Sequence, residues 1–259
     1  MKFSANLSIL FTEVPFLERF KLAAAHGFKA VEFWFPYEWK ASDIQAELSA
    51  NDLVLIGLNT APGNAAAGDW GLTVQRDRQA EFRDGVHLAF EYASALNCGN
   101  VHVMAGFPEA GTSHEQTEQV YQDNIRYAAG HAATLGKNVL IEPLNPIDRP
   151  GYWLSRQSHA RSVVEALGLP NVKIMFDVYH VQMTEGRIAS TLLANLPHIG
   201  HIQIADVPGR GEPGTGEINY PYLFDVIEKS GYSGWIGCEY KPVSGSIQGL
   251  SWMARHKVG

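Results

Sequence analysis

The chain has 259 residues, 46% of them apolar, and its 20 basic and 27 acidic residues give a formal net charge of −7. This length allows two small domains or one large α/β barrel, with ample apolar material for a core. The acidic balance argues against nonspecific nucleic-acid binding, and no apolar run approaches membrane-spanning length. Two distant cysteines, Cys98 and Cys238, are typical of reduced thiols in the cytosol. We therefore predict a cytoplasmic protein whose N-terminus is a strand and not a signal peptide.

The first half of the chain alternates apolar strands with amphipathic helices. In order, the pattern predicts a strand at 3–8, a helix at 16–27, a strand at 30–35, a helix at 42–51, a strand at 53–59, a helix at 79–96 and a strand at 101–106. Residues 60–78 form a long segment rich in glycine and alanine that contains Trp70. Loops of this length are usually functional or disordered.

The second half repeats the alternation more clearly. The predicted elements are a helix at 113–135, a strand at 138–144, a helix at 157–167, a strand at 172–180, a helix at 188–196, a strand at 199–206, a helix at 219–229 and a strand at 235–240. Near-continuous apolar strands between helices indicate a parallel sheet, and eight such units in about 250 residues match a closed (β/α)₈ TIM barrel. We predict that residues 1–259 form one α/β barrel domain, with a doubly wound open sheet as the alternative.

Four oxygen-bearing side chains end the last four predicted strands. They are Glu142, Asp177, Gln203 and Glu239, spaced at about one β/α unit, and the carboxyl ends of barrel strands form the face that carries active sites. Three carboxylates and one amide oxygen suit Mg²⁺, or Mn²⁺ as the alternative, better than Zn²⁺. Acidic residues that only cap helices or pair with lysine and arginine are the competing interpretation. The common register on consecutive strands favours a divalent metal site.

Further polar residues accompany this set. His180 follows Asp177 by three residues and is interpreted as facing the substrate or supporting the metal ligands, although a loop histidine with purely local hydrogen bonds is the simpler alternative. Lys241 shares the side-chain direction of Glu239 in the last strand. Arg210 can hold a substrate carboxylate bidentately, unless it is an exposed loop arginine. For His102, an inward core histidine is at least as good an interpretation.

A glycine pattern in the loop after the seventh strand invites a nucleotide-binding interpretation. Residues 209–214 match GxGxxG literally. A dinucleotide fingerprint opens directly into a helix, whereas here Pro213 and Gly216 interrupt and the helix signal begins at Asn219. The pattern therefore predicts a loop and not a dinucleotide-binding site.

Several segments carry a family resemblance that extends over nearly the whole chain. FSANLSILFTEVPFLERF, AVEFWFPYEW, HIGHIQIADVPGRGEPGTGEINYPYLF and GWIGCEYKP resemble the hydroxypyruvate isomerase family, within the xylose-isomerase-like TIM barrels. The resemblance implies an aldose–ketose type isomerase with a divalent metal. By similarity, Glu142 and Glu239 match the two acid/base glutamates, and with Asp177 and Gln203 they match the metal ligands. Gln203 stands where related ketose epimerases have histidine, and His180 and Arg210 match substrate-contacting positions of those epimerases.

The predicted reaction is the reversible conversion of hydroxypyruvate to tartronate semialdehyde through an enediolate, with Glu142 and Glu239 moving the proton. Arg210 and Lys241 are the candidates for binding the substrate carboxylate. A 2-oxo-tetronate isomerase is the alternative; a sugar epimerase, an abasic-site phosphodiesterase and a non-catalytic sugar-acid-binding module are less favoured. The expected partner is a small 2-oxo or hydroxy acid, with no nucleic acid or membrane, and a homo-oligomer is left open.

Overall fold

The strands of the computed structural model, which describes residues 1–255, all lie in one parallel sheet. They are β1 (Lys2–Asn6), β2 (Ala30–Glu32), β3 (Val54–Leu55), β4 (Leu58–Asn59), β5 (Asn100–His102), β6 (Asn138–Ile141), β7 (Val172–Asp177), β8 (Ile199–Ile204) and β9 (Trp235–Cys238). Their order in the sheet is β3-β2-β1-β9-β8-β7-β6-β5-β4. Strands β3 and β4 are two pieces of the predicted third strand, so the order begins and ends with the same segment.

The sheet closes through that segment. Strand β3 pairs with β2, and β4 pairs with β5. Main-chain hydrogen bonds also join this segment to β2 and to the residues after it. Ile56 N–H donates to Val31 O at 2.9 Å, and Asn59 N–H donates to Trp34 O at 2.9 Å. The fold is therefore a (β/α)₈ barrel, which confirms the predicted barrel over the open doubly wound sheet.

Helices surround the barrel between successive strands. They are α1 (Phe16–Ala25), α2 (Ala41–Ala50), α3 (Gln79–Ala95), α4 (His114–Thr134), α5 (Gln157–Leu167), α6 (Val178–Thr184), α7 (Ile188–Asn195) and α8 (Tyr220–Lys229). Short 3₁₀ turns occupy Ala65–Ala67, Leu196–His198 and Gln248–Arg255. Some ends follow from local chemistry: Ser113 and Gln116 form a capping box at α4, and the Asn219 side chain accepts from Tyr222 N–H at α8. Within residues 1–255, no helix has both the length and the apolar character that a membrane crossing requires.

Several predicted strands extend beyond the observed ones, and the sixth runs into a helix. The sequence predicted a strand at 172–180, but β7 ends at Asp177 and α6 begins at Val178. The Asp177 carboxylate accepts a hydrogen bond from Tyr179 N–H at 2.8 Å, so it caps the helix at the point where the strand stops. The apolar character of the segment persists because Val178, Tyr179 and Val181 on α6 are buried. Burial on both sides of the boundary concealed the change from strand to helix.

Candidate active site

A cavity of about 450 Å³ lies at the carboxyl ends of the strands. Its wall contains five of the seven predicted site residues: Glu142, His180, Arg210, Glu239 and Lys241. The other two, Asp177 and Gln203, are buried and do not line the cavity; they are register partners on the adjacent strands β7 and β8. The fold thus brings the predicted residues to one end of the barrel.

Three carboxylates form the centre of the site. Glu142 follows β6 directly, Asp177 ends β7 and Glu239 follows β9 directly, and all three are buried. Burial raises the pKa of Glu142 well above its usual range, and the charges of Glu239 and Asp177 raise it further. Burial also raises the pKa of Asp177 and brings that of Glu239 to about 8, although Arg210 opposes both shifts. Three buried carboxylates this close together repel one another when ionised, so the cluster favours the binding of a cation.

Arg210 is the cation that the protein itself supplies to this cluster. Its Nη2 lies 3.2 Å from Asp177 Oδ2 and 3.4 Å from Glu239 Oε2. Its side chain is 17% exposed, so it is not the exposed loop arginine of the competing interpretation. The guanidinium also lies over the Tyr179 ring, 5.0 Å from the centroid.

The loop that carries Arg210 is organised by a buried aspartate. Asp206 accepts hydrogen bonds from the main-chain N–H groups of Gly214, Gly216 and Ile218 at 2.9–3.0 Å. Arg210 takes a left-handed backbone conformation with φ of 56°, and its carbonyl accepts from Lys241 N–H at 2.7 Å. The GxGxxG-like stretch is therefore a loop, as predicted, and its structural role is to hold Arg210.

His180 has a hydrogen-bond partner that determines its tautomer. Both the main-chain N–H and the side-chain amide of Asn145 lie against His180 Nδ1, at 3.1 and 2.8 Å. A backbone N–H can only donate, so Nδ1 accepts and the proton of the neutral ring resides on Nε2. Burial, followed by the charges of Arg210 and Arg149, holds the His180 pKa well below its usual range. Nε2 lies 3.6 Å from Asp177 Oδ2 and 4.0 Å from Glu142 Oε1, where its N–H can donate to a carboxylate or a substrate oxygen.

Gln203 is oriented from across the barrel. Its Nε2 donates to Glu32 Oε1 at 2.7 Å, and His201 Nε2 lies 2.7 Å from Glu32 Oε2. Glu32 belongs to β2 and Gln203 to β8, strands separated in the sheet by β1 and β9, so the contact crosses the barrel interior. Burial would raise the Glu32 pKa, but His201 and the hydrogen bonds outweigh it and the pKa is lowered. An ionised Glu32 accepts only, so it takes the amide NH₂ and leaves Gln203 Oε1 buried with no hydrogen-bond partner among residues 1–255.

The donor set fits a hard divalent cation. Three clustered carboxylates and an unpartnered amide oxygen are the ligands that Mg²⁺ or Mn²⁺ prefers. One oxygen each of Glu142 and Asp177 and a ring nitrogen of His180 also lie within 4.8 Å of one another. Because Asn145 occupies Nδ1 and the proton resides on Nε2, His180 is better suited to donate a hydrogen bond than to ligate.

Several residues of the site were not assigned from the sequence. Trp34 Nε1–H donates to Glu239 Oε1, and His102 Nδ1 lies 3.4 Å from Glu142 Oε2 on the cavity wall. Burial lowers the His102 pKa to about 3, so this ring is neutral. Trp70 and Arg149 also line the cavity. His102 gave a signal as an unexplained polar residue in an apolar strand, although a core role was at least as good an interpretation there. The aromatic residues after the first two predicted strands, Trp34 among them, are open to interpretation as core or as pocket wall, and Trp70 lies in the long segment expected to be functional or disordered.

Comparisons with known proteins agree on the family. The xylose isomerase-like TIM barrel family is matched over residues 20–256. A 2-oxo-tetronate isomerase of Cupriavidus necator is 47% identical over 252 residues, covering 97% of each chain. A hydroxypyruvate isomerase of Escherichia coli is 46% identical over 253 residues, covering 98% of each chain.

A solved structure is also very similar. The crystal structure of a protein named AP endonuclease, family 2, from Brucella melitensis superposes with a TM-score of 0.95 and 44% identity, covering 98% of each chain.

Proposed function

Because the chain belongs to the xylose isomerase-like TIM barrel family, and is an isomerase like its relatives, we propose that it interconverts hydroxypyruvate and tartronate semialdehyde. The observation that carries the proposal is the placement of two glutamates. Glu142 follows β6 and Glu239 follows β9, strands separated by β7 and β8, and both side chains line the same cavity. A small substrate between them has a carboxylate on two sides, which is what moving a proton between adjacent carbons requires.

The proposed acid/base residues are Glu142 and Glu239. In the forward direction one carboxylate removes a proton from the hydroxymethyl carbon of hydroxypyruvate, giving an enediolate, and a carboxylate returns a proton to the neighbouring carbon. The hydroxyl proton passes from the oxygen of the first carbon to the oxygen of the second, which leaves an aldehyde and a new hydroxyl group. Trp34 N–H and Arg210 both lie against Glu239, and each favours its ionised form as the base. Glu142 lines the same cavity from the end of β6 and would return the proton. The reverse reaction exchanges the two roles.

We propose Glu142, Asp177, Gln203 and Glu239 as the residues that hold a divalent cation, Mg²⁺ in preference to Mn²⁺, with no organic cofactor. When bound, such a cation supplies Lewis-acid stabilisation of the negative charge that develops on the substrate oxygens. His180 would donate its Nε2–H to a substrate oxygen, and Arg210 and Lys241 would add positive charge around the substrate. The single catalytic domain over residues 1–259, the cytoplasmic location and a homo-oligomer stay predictions.

The first experiment is an isomerisation assay with purified protein, hydroxypyruvate and Mg²⁺, with a chelated sample alongside. Replacing Glu239 by glutamine keeps the size but removes the base, so kcat is expected to fall by roughly 10²-fold or more. Glu228→Gln, an exposed change on α8, is the matched control and should retain wild-type kcat. Near-normal turnover by E239Q would remove Glu239 from the proposed mechanism.

A second candidate substrate class is the four-carbon 2-oxo-tetronates. It is favoured by the relatives named 2-oxo-tetronate isomerase, which are 47% and 45% identical to this chain. The same carboxylates would perform the same proton transfer on the longer acid. Turnover of 2-oxo-tetronates together with none of hydroxypyruvate would move the assignment to this class.

AP endonuclease activity, after which the Brucella protein is named, is tested in the same series with duplex DNA that contains an abasic site. The site offers few histidines for several zinc ions, and the net charge of −7 does not favour binding to DNA. No cleavage is expected.

A further inference from the structure

Arg149 is a third cation on the cavity wall, beside Arg210 and Lys241. It follows β6 and is half-buried, and its guanidinium lies over the Trp70 ring, 4.1 Å from the centroid. Within residues 1–255 no carboxylate forms an ion pair with it. A positive charge in a cavity without an acidic partner is suited to an anionic ligand.

The charges of the site leave room for such a ligand. The site contains the carboxylates of Glu142, Asp177 and Glu239, and Asp148 adds a carboxylate to the cavity wall, where it accepts a hydrogen bond from the Tyr179 hydroxyl at 2.9 Å. Arg210, paired with Asp177 and Glu239, supplies one positive charge, and a divalent cation supplies two. Both of these cations are engaged by the buried carboxylates, so a substrate carboxylate needs a further cation that is not already paired.

Within residues 1–255, Arg149 and Lys241 are the cavity-lining cations that form no ion pair, and their side chains differ in how they bind a carboxylate. Lys241 is exposed and presents a hydrated ammonium on a flexible stem. Arg149 is half-buried and presents a planar guanidinium, whose parallel N–H groups match both oxygens of a carboxylate. A guanidinium stacked on an aromatic face keeps its edge free for such a pair.

Both sides of the Arg149–Trp70 contact are held by the main chain. The Asn145 side-chain oxygen accepts from Ile147 N–H and Asp148 N–H, and Arg149 N–H donates to Asn145 O at 3.1 Å. Next to Trp70, Gly71 forms an antiparallel bridge with Ala105. The cation is therefore positioned before any substrate arrives, which lowers the entropic cost of binding.

We propose that Arg149, held over the Trp70 ring, binds the substrate carboxylate and makes this site selective for 2-oxo acids over neutral ketoses. The proposal rests on the isomerase function proposed above. It identifies a specificity residue that acts on the carboxylate end of the substrate, whereas Glu142 and Glu239 act on the carbons that exchange the proton.

The test compares two substrates that differ only at this end. Dihydroxyacetone carries CH₂OH where hydroxypyruvate carries its carboxylate, and it can undergo the same proton transfer. Arg149→Gln is expected to raise KM for hydroxypyruvate about 10- to 100-fold with kcat little changed, the range expected for a lost charge-assisted hydrogen bond. The kcat/KM for dihydroxyacetone should stay within about twofold of wild type, because that substrate offers no carboxylate.

Four variants control for indirect effects. Arg149→Lys keeps the charge but loses the parallel N–H groups of the guanidinium. Its KM for hydroxypyruvate should therefore lie between those of wild type and R149Q. Trp70→Phe keeps an aromatic face and should retain most of the affinity, whereas Trp70→Leu should raise KM for hydroxypyruvate alone. Arg83→Gln removes an arginine that lies over Tyr127 outside the cavity, and it should leave both substrates unaffected.

A binding measurement makes the outcome independent of turnover. D-glycerate has the carboxylate but lacks the keto group of hydroxypyruvate, so it does not isomerise. Calorimetry should show that wild type binds D-glycerate at least about tenfold more tightly than R149Q does. If wild type isomerises hydroxypyruvate but R149Q keeps its KM, or if the selective loss appears in Lys241→Gln instead, the carboxylate site is not Arg149. If wild type isomerises neither hydroxypyruvate nor 2-oxo-tetronates, the proposed function itself fails, and D-glycerate binding still decides whether Arg149 is an anion site.

Discussion

Glu32 contributes no atom to the cavity wall, yet it fixes two side chains that the site depends on. Its two oxygens take the Gln203 amide and the His201 ring, and Ser4 Oγ–H and Asn6 Nδ2–H donate to it as well. No other arrangement of the Gln203 amide satisfies an ionised Glu32, because a carboxylate can only accept. The orientation of Gln203 Oε1 is thus decided by a residue on the far side of the barrel.

Replacing Glu32 by glutamine tests whether Glu32 orients the Gln203 amide. A glutamine presents its own NH₂ group to the network, so it competes with the Gln203 amide for acceptors and leaves Gln203 without a fixed orientation. We expect the dissociation constant for Mn²⁺, measured by calorimetry, to rise about 10- to 100-fold, as for other residues that orient a ligand. Glu91→Gln on the exposed face of α3 is the control. An unchanged Mn²⁺ affinity in a folded E32Q protein would contradict Gln203 as a ligand oriented by Glu32.

At the scale of elements, the long segment at 60–78 is an ordered part of the cavity wall. Thr73 Oγ1–H donates to Met104 O at 2.6 Å, Val74 N–H donates to Ala105 O at 3.1 Å, and Asn124 Nδ2–H donates to Thr73 O at 2.8 Å. These bonds fasten the segment to the residues that follow β5 and to α4. Of the two expectations for a loop of this length, the structure supports the functional one, because it places Trp70 against Arg149.

Gly71→Ala should displace this segment. Gly71 has φ of 112°, and an added Cβ would meet the Met104 carbonyl, so the change adds both backbone strain and a clash. Gly68→Ala is the matched control, since Gly68 has φ of 95° but open space around the added carbon. In urea unfolding, G68A should lose about 1–2 kcal/mol and G71A a further 1–3 kcal/mol or so. Equal losses in the two variants would mean that the close approach at Gly71 is not what fixes the segment.

At the scale of the whole molecule, the first and last strands are neighbours in the barrel. Strand β1 pairs with β9, and beyond them Glu13 accepts from Ser246 N–H at 2.8 Å and from Ser246 Oγ–H at 3.0 Å. Ser246 in turn accepts from Phe11 N–H at 2.6 Å. These contacts, across more than 230 positions of sequence, join the loop after β1 to the segment after β9.

The pKa of Glu13 predicts how this junction responds to acid. The Ser246 N–H bond is the largest cause of a lowered pKa, so the folded state holds the Glu13 proton less tightly than the unfolded state does. Its contribution to stability is complete above the unfolded pKa of about 4.3 and is lost as the pH falls through the lower folded value. Because Glu13 is exposed, the contribution should be under about 1 kcal/mol.

Urea unfolding of wild type and Glu13→Gln between pH 7 and pH 3 measures that contribution. Wild type should be the more stable protein near neutral pH, and the difference should shrink as the pH approaches 3. In a Ser246→Ala background the same Glu13 change should have a smaller effect at pH 7. A difference between E13Q and wild type that grows on acidification would have the wrong sign for this junction.

The sequence by itself determined the alternation of strands and helices, the closed barrel as the preferred architecture, and the strand ends that carry Glu142, Asp177, Gln203 and Glu239. These features depend on local periodicity and on spacing along the chain, which a single sequence contains. The boundary at Asp177 was misplaced because a buried strand and a buried helix start are equally apolar.

Only the tertiary structure decided which side chains complete the site. The Glu32–Gln203 contact crosses the barrel, Arg210 pairs with carboxylates from two strands, and Arg149 meets Trp70 from a distant loop. Each of these contacts joins residues far apart in the sequence, and none follows from a local pattern. They exist because closure of the sheet through β3 and β4 brings all strand ends around one cavity.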